Sequence, residues 1–279
     1  MNHILLEKIV RQALSEDIGT GDITSEVLFP ASHRKISQAE FLAKAEGVIA
    51  GLTVAAEVYR QVDPSVVFTV LVAEGTAVTP GTVIATVQGP IQALLTGERV
   101  ALNFLQRLSG IASKTARLTQ QLSGLAVRLV DTRKTTPGLR MLEKYAVRQG
   151  GGFNHRYNLS DAVLIKDNHI AACGSITAAV QRARRAIPHT MTIEVEVESE
   201  AQVHEALTAG ADIIMLDNMS PEQMAAMVQL INHQAVVEAS GNVDEHNIRA
   251  VAESGIDIIS SGAITHSVSA LDISLDIHE

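Results

Sequence analysis

Six times between residues 126 and 260 the chain repeats one pattern: a short apolar run, polar residues at its end, then a stretch of helical spacing. The runs are 126–130, 161–165, 191–197, 211–216, 235–239 and 256–260. A repeat of roughly 20–30 residues is the length of a strand with its returning helix, which makes the strands parallel. Helix boundaries are marked as well. Ser199 with Gln202 and Ser220 with Gln223 fit a capping box, and Pro221 suits a first helical position. Gly210 and Gly255 suit C-terminal stops, and Pro188 ends the helix SITAAVQRARRA. Six parallel units either spread into an open doubly wound sheet or close into a barrel. Polar residues at every strand end, with neither a G-x-G-x-x-G turn nor a G-x-x-x-x-G-K-S/T loop, predict the barrel.

The first 90 residues have a different texture. Ile4, Leu5, Ile9 and Leu14 recur at helical spacing. Apolar runs at 41–52, 66–72 and 82–89 follow, separated by turns such as VDPS and TPGT. Pro90 opens a long helical pattern, which Gly97 and Gly110 predict to be broken into two or three pieces. Aromatic residues are only 3% of the chain and Trp is absent, so the core must be aliphatic. The 279 residues suit one large or two moderate domains. The single Cys173 excludes an intramolecular disulfide and a Cys-based zinc site, fits a reducing cytoplasm, and reads as a small apolar filler. No run reaches the ~18 apolar residues of a membrane span, and the N-terminus lacks the form of a signal peptide.

Charge is unevenly placed. The stretch 131–169 carries seven Lys/Arg against four acids, +3 in a chain of net charge −9. An acidic protein with one cationic segment is suited to a small polyanion, and argues against nucleic acid or an anionic membrane. The residues that close the strands are Asp131-Thr132-Arg133-Lys134, Lys166-Asp167-Asn168-His169, Asp217-Asn218, Ser240-Gly241-Asn242 and Ser261-Gly262-Ala263, with Glu196 inside the third strand. Parallel strands bring all of them to one rim. Ser-Gly turns there resemble backbone-amide phosphate cradles, and Glu196 with Asp217 suits hydrated Mg²⁺ or sugar hydroxyls.

Each residue also has a plain structural reading. Glu194, Glu196 and Glu198 alternate with Ile193, Val195 and Val197, as on a solvated strand face. Three glutamates in a strand covered on both sides nevertheless need partners. Asp217 could cap the next helix, Lys166 could snorkel outward, and Arg99 taken alone is a surface residue. His155 and Arg156 follow a Gly-rich loop that could be a mere connection, although such loops often grip substrates.

The motifs EDIGTGDITS (16–25), AKAEGVIAGL (43–52), ERVALNFLQRLSGIAS (98–113), DTRKTTPGLR (131–140), GGGFNHRYNLSDAVLIKDNHI (150–170), IEVEVES (193–199), IIMLDNM (213–219), EASGN (238–242) and SSGAITHS (260–267) resemble the quinolinate phosphoribosyltransferase family, in family order over nearly the whole chain. The resemblance implies an N-terminal α/β sandwich plus an incomplete, six-stranded α/β barrel. The expected division is 1–114 for the sandwich and 115–267 for the barrel, with 268–279 packing back on the first domain. It also implies a cytoplasmic homodimer that uses Mg²⁺ to join quinolinate to phosphoribosyl pyrophosphate, giving nicotinate mononucleotide, pyrophosphate and CO2.

Carried over by position, the family's quinolinate-binding cations match Arg133, His155, Arg156 and Lys166, with Arg99 arriving from the partner subunit. Its phosphoribosyl pyrophosphate and Mg²⁺ contacts match Lys134, Glu196 and Asp217, the three residues expected to act in catalysis, with Thr132 beside them. Its phosphate loops match Ser240, Gly241 and Asn242, and Ser261, Gly262 and Ala263. Glu196 and Asp217 are the expected metal ligands. Asn158 departs from the Gly that many members carry, which a left-handed backbone there would tolerate. Three other readings stand beside this one: the related protein of molybdenum-transport operons, a Schiff-base aldolase using Lys166, and a non-catalytic metabolite-binding barrel.

Overall fold

The computed structural model describes residues 1–30 and 35–278. In chain order it forms α1 (His3–Ile18), α2 (Ile23–Leu28), β1 (Ile36–Ala43), β2 (Gly47–Val48), α3 (Leu52–Val62), β3 (Val67–Val70), β4 (Ala77–Val78), β5 (Val83–Pro90) and α4 (Ile91–Gln121). There follow β6 (Arg128–Val130), α5 (Arg140–Gln149), β7 (Val163–Ile165), α6 (Asp167–Cys173), α7 (Ile176–Ala186), β8 (Ile193–Val197) and α8 (Glu200–Ala209). The last elements are β9 (Ile213–Asp217), α9 (Pro221–Ile231), β10 (Val236–Ser240), α10 (Ile248–Glu253), β11 (Ile258–Ser260), α11 (Ala263–His266) and β12 (Ile273–His278). Two compact units result. One holds Met1–Ala116, Thr136–Gly151 and the chain from Ser267 onward; the other holds Arg117–Thr135 and Gly152–His266.

The first unit is built on an antiparallel sheet of order β12-β1-β5-β3. Ala39, Phe41 and Ala43 alternate inward along β1 and are fully buried, as period-two spacing demands. Phe41, Tyr59 of α3 and Phe68 of β3 meet with ring centroids 5.6–6.2 Å apart, an aromatic knot in a largely aliphatic core. Two expectations are corrected here. The buried stripe of α1 is Leu6, Val10 and Leu14, whereas Ile4 and Leu5 face solvent. And the long helical pattern is one unbroken 31-residue helix, α4. Its glycines mark close packing: a Cβ at Gly97 would fall 2.8 Å from the Tyr59 ring, and one at Gly110 would strike the Ser269 backbone.

The second unit is a six-stranded parallel sheet of order β6-β11-β10-β9-β8-β7. The first strand pairs with the last, so the order is that of a barrel, open between β6 and β7. The fold is therefore the predicted mixed α/β architecture with an incomplete six-stranded barrel. The six strands begin two residues later than five of the runs suggest and one later than the run at 235. Val195, Val197, Ile214, Leu216, Val237, Ala239 and Ile259 form the outer face, buried at 4% exposure or less, against which α7, α8 and α9 pack. In the opening, Phe153 makes an isolated parallel bridge to Val130, donating to Leu129 at 2.8 Å and accepting from Asp131 at 3.2 Å. Of the two capping boxes expected, Ser220 with Gln223 closes completely. At α8 the Ser199 hydroxyl accepts from Gln202, but the Gln202 side chain takes the amide of Glu198 instead.

Candidate active site

In a parallel pair, partnered residues point to the same side, so the register reads out the inner wall of the barrel. Glu196 stands opposite Met215, Met215 opposite Glu238, Glu238 opposite Ile258, and Ile258 opposite Arg128. Two residues toward the carboxyl end of that ring, Asp217 stands opposite Ser240. Glu194 shares the inner face with Glu196, whereas Glu198 lies past the strand end and is exposed. The interior is thus lined with carboxylates, against an aliphatic exterior.

Cations meet these carboxylates at the carboxyl ends of the strands. The Lys166 ammonium pairs with Glu196, whose side chain is 13% exposed, and its backbone amide donates to His169 Nδ1 at 3.0 Å, opening α6. Lys134 is held by its main chain: its amide donates to Thr132 Oγ1 at 3.0 Å and its carbonyl accepts from Thr265 Oγ1 at 2.8 Å. The loops after β9 and β10 are joined. Asn218 donates its amide to the Ser240 carbonyl at 3.1 Å, its Nδ2 to Asp217 at 2.7 Å, and its Oδ1 accepts from Asn242 at 3.3 Å. Asn218, Gly241 and Asn242 all have positive φ, and a Cβ on Gly241 would overlap the Asn218 side chain. After β11 the Ser261 amide donates to Val130, and a Cβ on Gly262 would lie 2.8 Å from the Lys134 side chain. Lys134 and the Ser261–Ala263 turn are therefore neighbours.

Deeper in the same unit lies a three-residue cluster. His155 Nε2 is 3.3 Å from Glu194 Oε2 and 3.5 Å from Glu238 Oε1, the two glutamates being 3% and 2% exposed. The His155 amide donates to Asp131 Oδ1 at 2.9 Å and Asn154 donates to Asp131 Oδ2 at 2.6 Å. Nδ1 accepts the Arg156 amide at 2.7 Å, which leaves the ring proton on Nε2, between the carboxylates. Burial lowers the imidazole, but the two glutamates outweigh it and push it up to about 10. A second proton would have to sit on Nδ1 and displace the Arg156 amide, so that contact favours the neutral ring. Burial raises the Glu194 carboxyl above its ordinary value, the His155 contact opposes this, and the Glu238 charge adds to it. Burial and then the Arg133 charge hold Arg156 below its ordinary value. The Arg156 guanidinium also donates to the Ala162 carbonyl at 3.0 Å.

Nearly all of the chain from residue 22 onward matches one family. Residues 22–109 match the family model "Quinolinate phosphoribosyl transferase, N-terminal domain" and residues 111–276 the corresponding C-terminal domain. The chain belongs to the quinolinate phosphoribosyltransferase family. It is 47% identical over 277 residues to a Bacillus subtilis protein named probable nicotinate-nucleotide pyrophosphorylase (carboxylating), covering 99% of this chain and 95% of that one. A Synechocystis protein of the same name is 50% identical, with 98% and 93% covered. The solved nicotinate-nucleotide pyrophosphorylase of Francisella tularensis superposes with a TM-score of 0.95 at 40% identity, covering 100% of this chain and 98% of that one.

Of the residues singled out for a quinolinate phosphoribosyltransferase site, Thr132, Arg133, Lys134, His155, Arg156, Lys166, Glu196, Asp217 and both Ser-Gly turns lie in the barrel unit. Arg99 lies exposed on α4, in the other unit. Asp217 does not cap α9, a role that Ser220 fills. Asn158 has no positive φ; its side chain instead accepts from the Ser160 amide and hydroxyl. Asp131, expected only as one of the residues closing the first strand, is fully buried and holds the His155 loop. Glu238 is the buried group that the sequence pattern does not single out: it stands as a charge inside the apolar run AVVEA, and a lone strand glutamate is usually solvated.

Proposed function

We propose that this chain transfers the phosphoribosyl group of phosphoribosyl pyrophosphate to quinolinate and releases CO2, giving nicotinate mononucleotide and pyrophosphate for NAD biosynthesis. The observation that carries the reading is that cations closing β6 and β7 share one barrel with carboxylates on the inner faces of β8, β9 and β10, Lys166 pairing with Glu196. Quinolinate presents two adjacent carboxylates, and the planar fork of a guanidinium binds a carboxylate through two parallel hydrogen bonds. Arg133, Arg156 and Lys166 form that end of the site, with His155 behind Arg156 and Arg99 contributed by the partner of a homodimer. Lys134 and the Ser240–Asn242 and Ser261–Ala263 turns, with Thr132 beside them, hold the phosphates.

Binding at both ends brings the ring nitrogen to the anomeric carbon, so positioning supplies much of the rate. The nitrogen forms its bond to that carbon as the bond to pyrophosphate breaks, and Glu196 or Asp217 faces the positive charge that develops on the ribose. The pyridinium then accepts the electron pair as the adjacent carboxylate leaves as CO2, and the ring carbon takes up a proton. For Mg²⁺ the donor chemistry fits: Glu196 and Asp217 are carboxylates on one inner face of adjacent strands, and a bound ion would neutralise charge on the departing pyrophosphate. No helix among the described residues is long and apolar enough to cross a membrane, and we place the enzyme in the cytoplasm. A Schiff-base role for Lys166 is disfavoured because such an amine is desolvated in an apolar pocket, whereas this side chain is 46% exposed beside Glu196.

The test is to combine the protein, Mg²⁺, phosphoribosyl pyrophosphate and quinolinate, and to follow CO2 and nicotinate mononucleotide. Nicotinate, lacking the second carboxylate, should turn over more slowly by orders of magnitude. No CO2 from quinolinate, or equal use of nicotinate, would overturn the reading.

A further inference from the structure

Glu194 and Glu238 take no part in the chemistry above, yet burying two carboxylates side by side is costly unless something compensates. Glu194 Oε1 has no hydrogen-bond partner among the described residues, and Glu238 Oε1 meets His155 Nε2 at an ion-pair distance of 3.5 Å, with no hydrogen bond of its own. The polar side chain both face is His155, whose Nε2 proton lies between them. Its other nitrogen is taken by the Arg156 amide, so neither ring nitrogen is left to meet a substrate carboxylate. We propose, resting on the quinolinate reading above, that His155 is a positioning residue locked by Glu194 and Glu238, and that it acts by seating Arg156 against one carboxylate of the dicarboxylate substrate.

The geometry supports a chain of constraint. Asp131, fully buried, fixes the His155 main chain. The glutamates fix the rotation of its ring, and the ring fixes the next amide, so the Arg156 side chain leaves from a rigid base, its guanidinium also tied to the Ala162 carbonyl. A direct substrate contact by His155 would require its Nε2 to abandon two buried carboxylates, which is unfavourable.

The experiment measures quinolinate binding calorimetrically in the full-length protein, comparing wild type with Glu238→Gln, Arg156→Ala and the double variant. Glutamine keeps the volume and removes the charge. Glu238→Gln should weaken quinolinate by about tenfold, and the double variant should bind no more than about twofold worse than Arg156→Ala alone. Phosphoribosyl pyrophosphate should bind Glu238→Gln within about twofold of wild type. An independent readout is hydrogen exchange: the Arg156 amide should exchange at least about tenfold faster in Glu238→Gln, while the His155 amide, held by Asp131, keeps its rate. Fully additive losses in the double variant, or an unchanged Arg156 amide, would overturn the proposal. Glu194→Gln should reproduce both effects, so a poorly folding Glu238→Gln does not remove the test. If wild type itself fails to bind quinolinate, the functional reading falls, and exchange at Arg156 still decides whether the glutamates seat it.

Discussion

Removing the His155 ring would leave Glu194 and Glu238 facing one another with nothing between them. Leaving a buried acceptor without its donor costs about 1–3 kcal/mol, and more when the acceptor is charged. His155 is 14% exposed in its side chain, so water relieves part of that, and His155→Ala should destabilise the protein by about 2–3 kcal/mol in urea unfolding. Adding Glu238→Gln should return part of the loss, since one carboxylate no longer repels the other. A loss below about 0.5 kcal/mol, the range of ordinary surface substitutions, would show that the cluster bears no weight in the fold. The sequence left this cluster half-legible. Periodicity put Glu194 and Glu196 on one face and asked for partners, but the partners come from a loop residue and from a strand two places away. Those are distances no local pattern encodes.

At the scale of elements, α4 shows where propensity and packing part company. Glycine inside an exposed helix costs about 1 kcal/mol relative to alanine, so propensity alone makes Gly110→Ala stabilising. Packing predicts the opposite sign, because the added methyl meets the Ser269 main chain, which cannot rotate away as a side chain would. Overpacking of that kind costs about 1–3 kcal/mol, so a net loss of roughly 1–2 kcal/mol is expected. A raised melting temperature would refute it. The same contact explains why the sequence predicted a broken helix: glycine marks a break or a close approach equally well, and only the tertiary neighbour tells them apart. At α2, Asp22 is the N-cap, accepting from the Ser25 amide at 3.0 Å and from Thr96 Oγ1 at 2.8 Å. The Ser25 hydrogen bonds, aided by Thr96, hold its carboxyl below the ordinary value despite partial desolvation. A lowered folded-state value gives stability that is present above the unfolded value and lost as pH falls through the folded one. Asp22→Ala should therefore cost about 1 kcal/mol at pH 7, and the gap to wild type should shrink below about pH 4. A gap that stays constant down to pH 2 would remove the charge from the cap.

For the whole molecule, the barrel was legible because its period, its strand-end residues and its helix stops all point the same way. What no pattern within one chain shows is how the site is completed. The ring of strands is open between β6 and β7, and Arg99 lies on α4, in the unit that does not contain the barrel strands. If two copies form an isologous dimer, each can lend its Arg99 to the other's cationic rim. Complementation decides this. Arg99→Ala and Lys166→Ala homodimers should each be nearly inactive, since a charge-assisted contact is worth about 1.5–3 kcal/mol. In a mixed dimer with Arg99 supplied across the boundary, one site carries both defects and the other carries neither. About half of the wild-type activity per mixed dimer should then return, provided the sites act independently. Isolating the mixed dimer through two different affinity tags makes the measurement direct. If that dimer is stable and as inactive as its parents, each Arg99 serves its own chain, and the opening between β6 and β7 is closed by something other than a second copy.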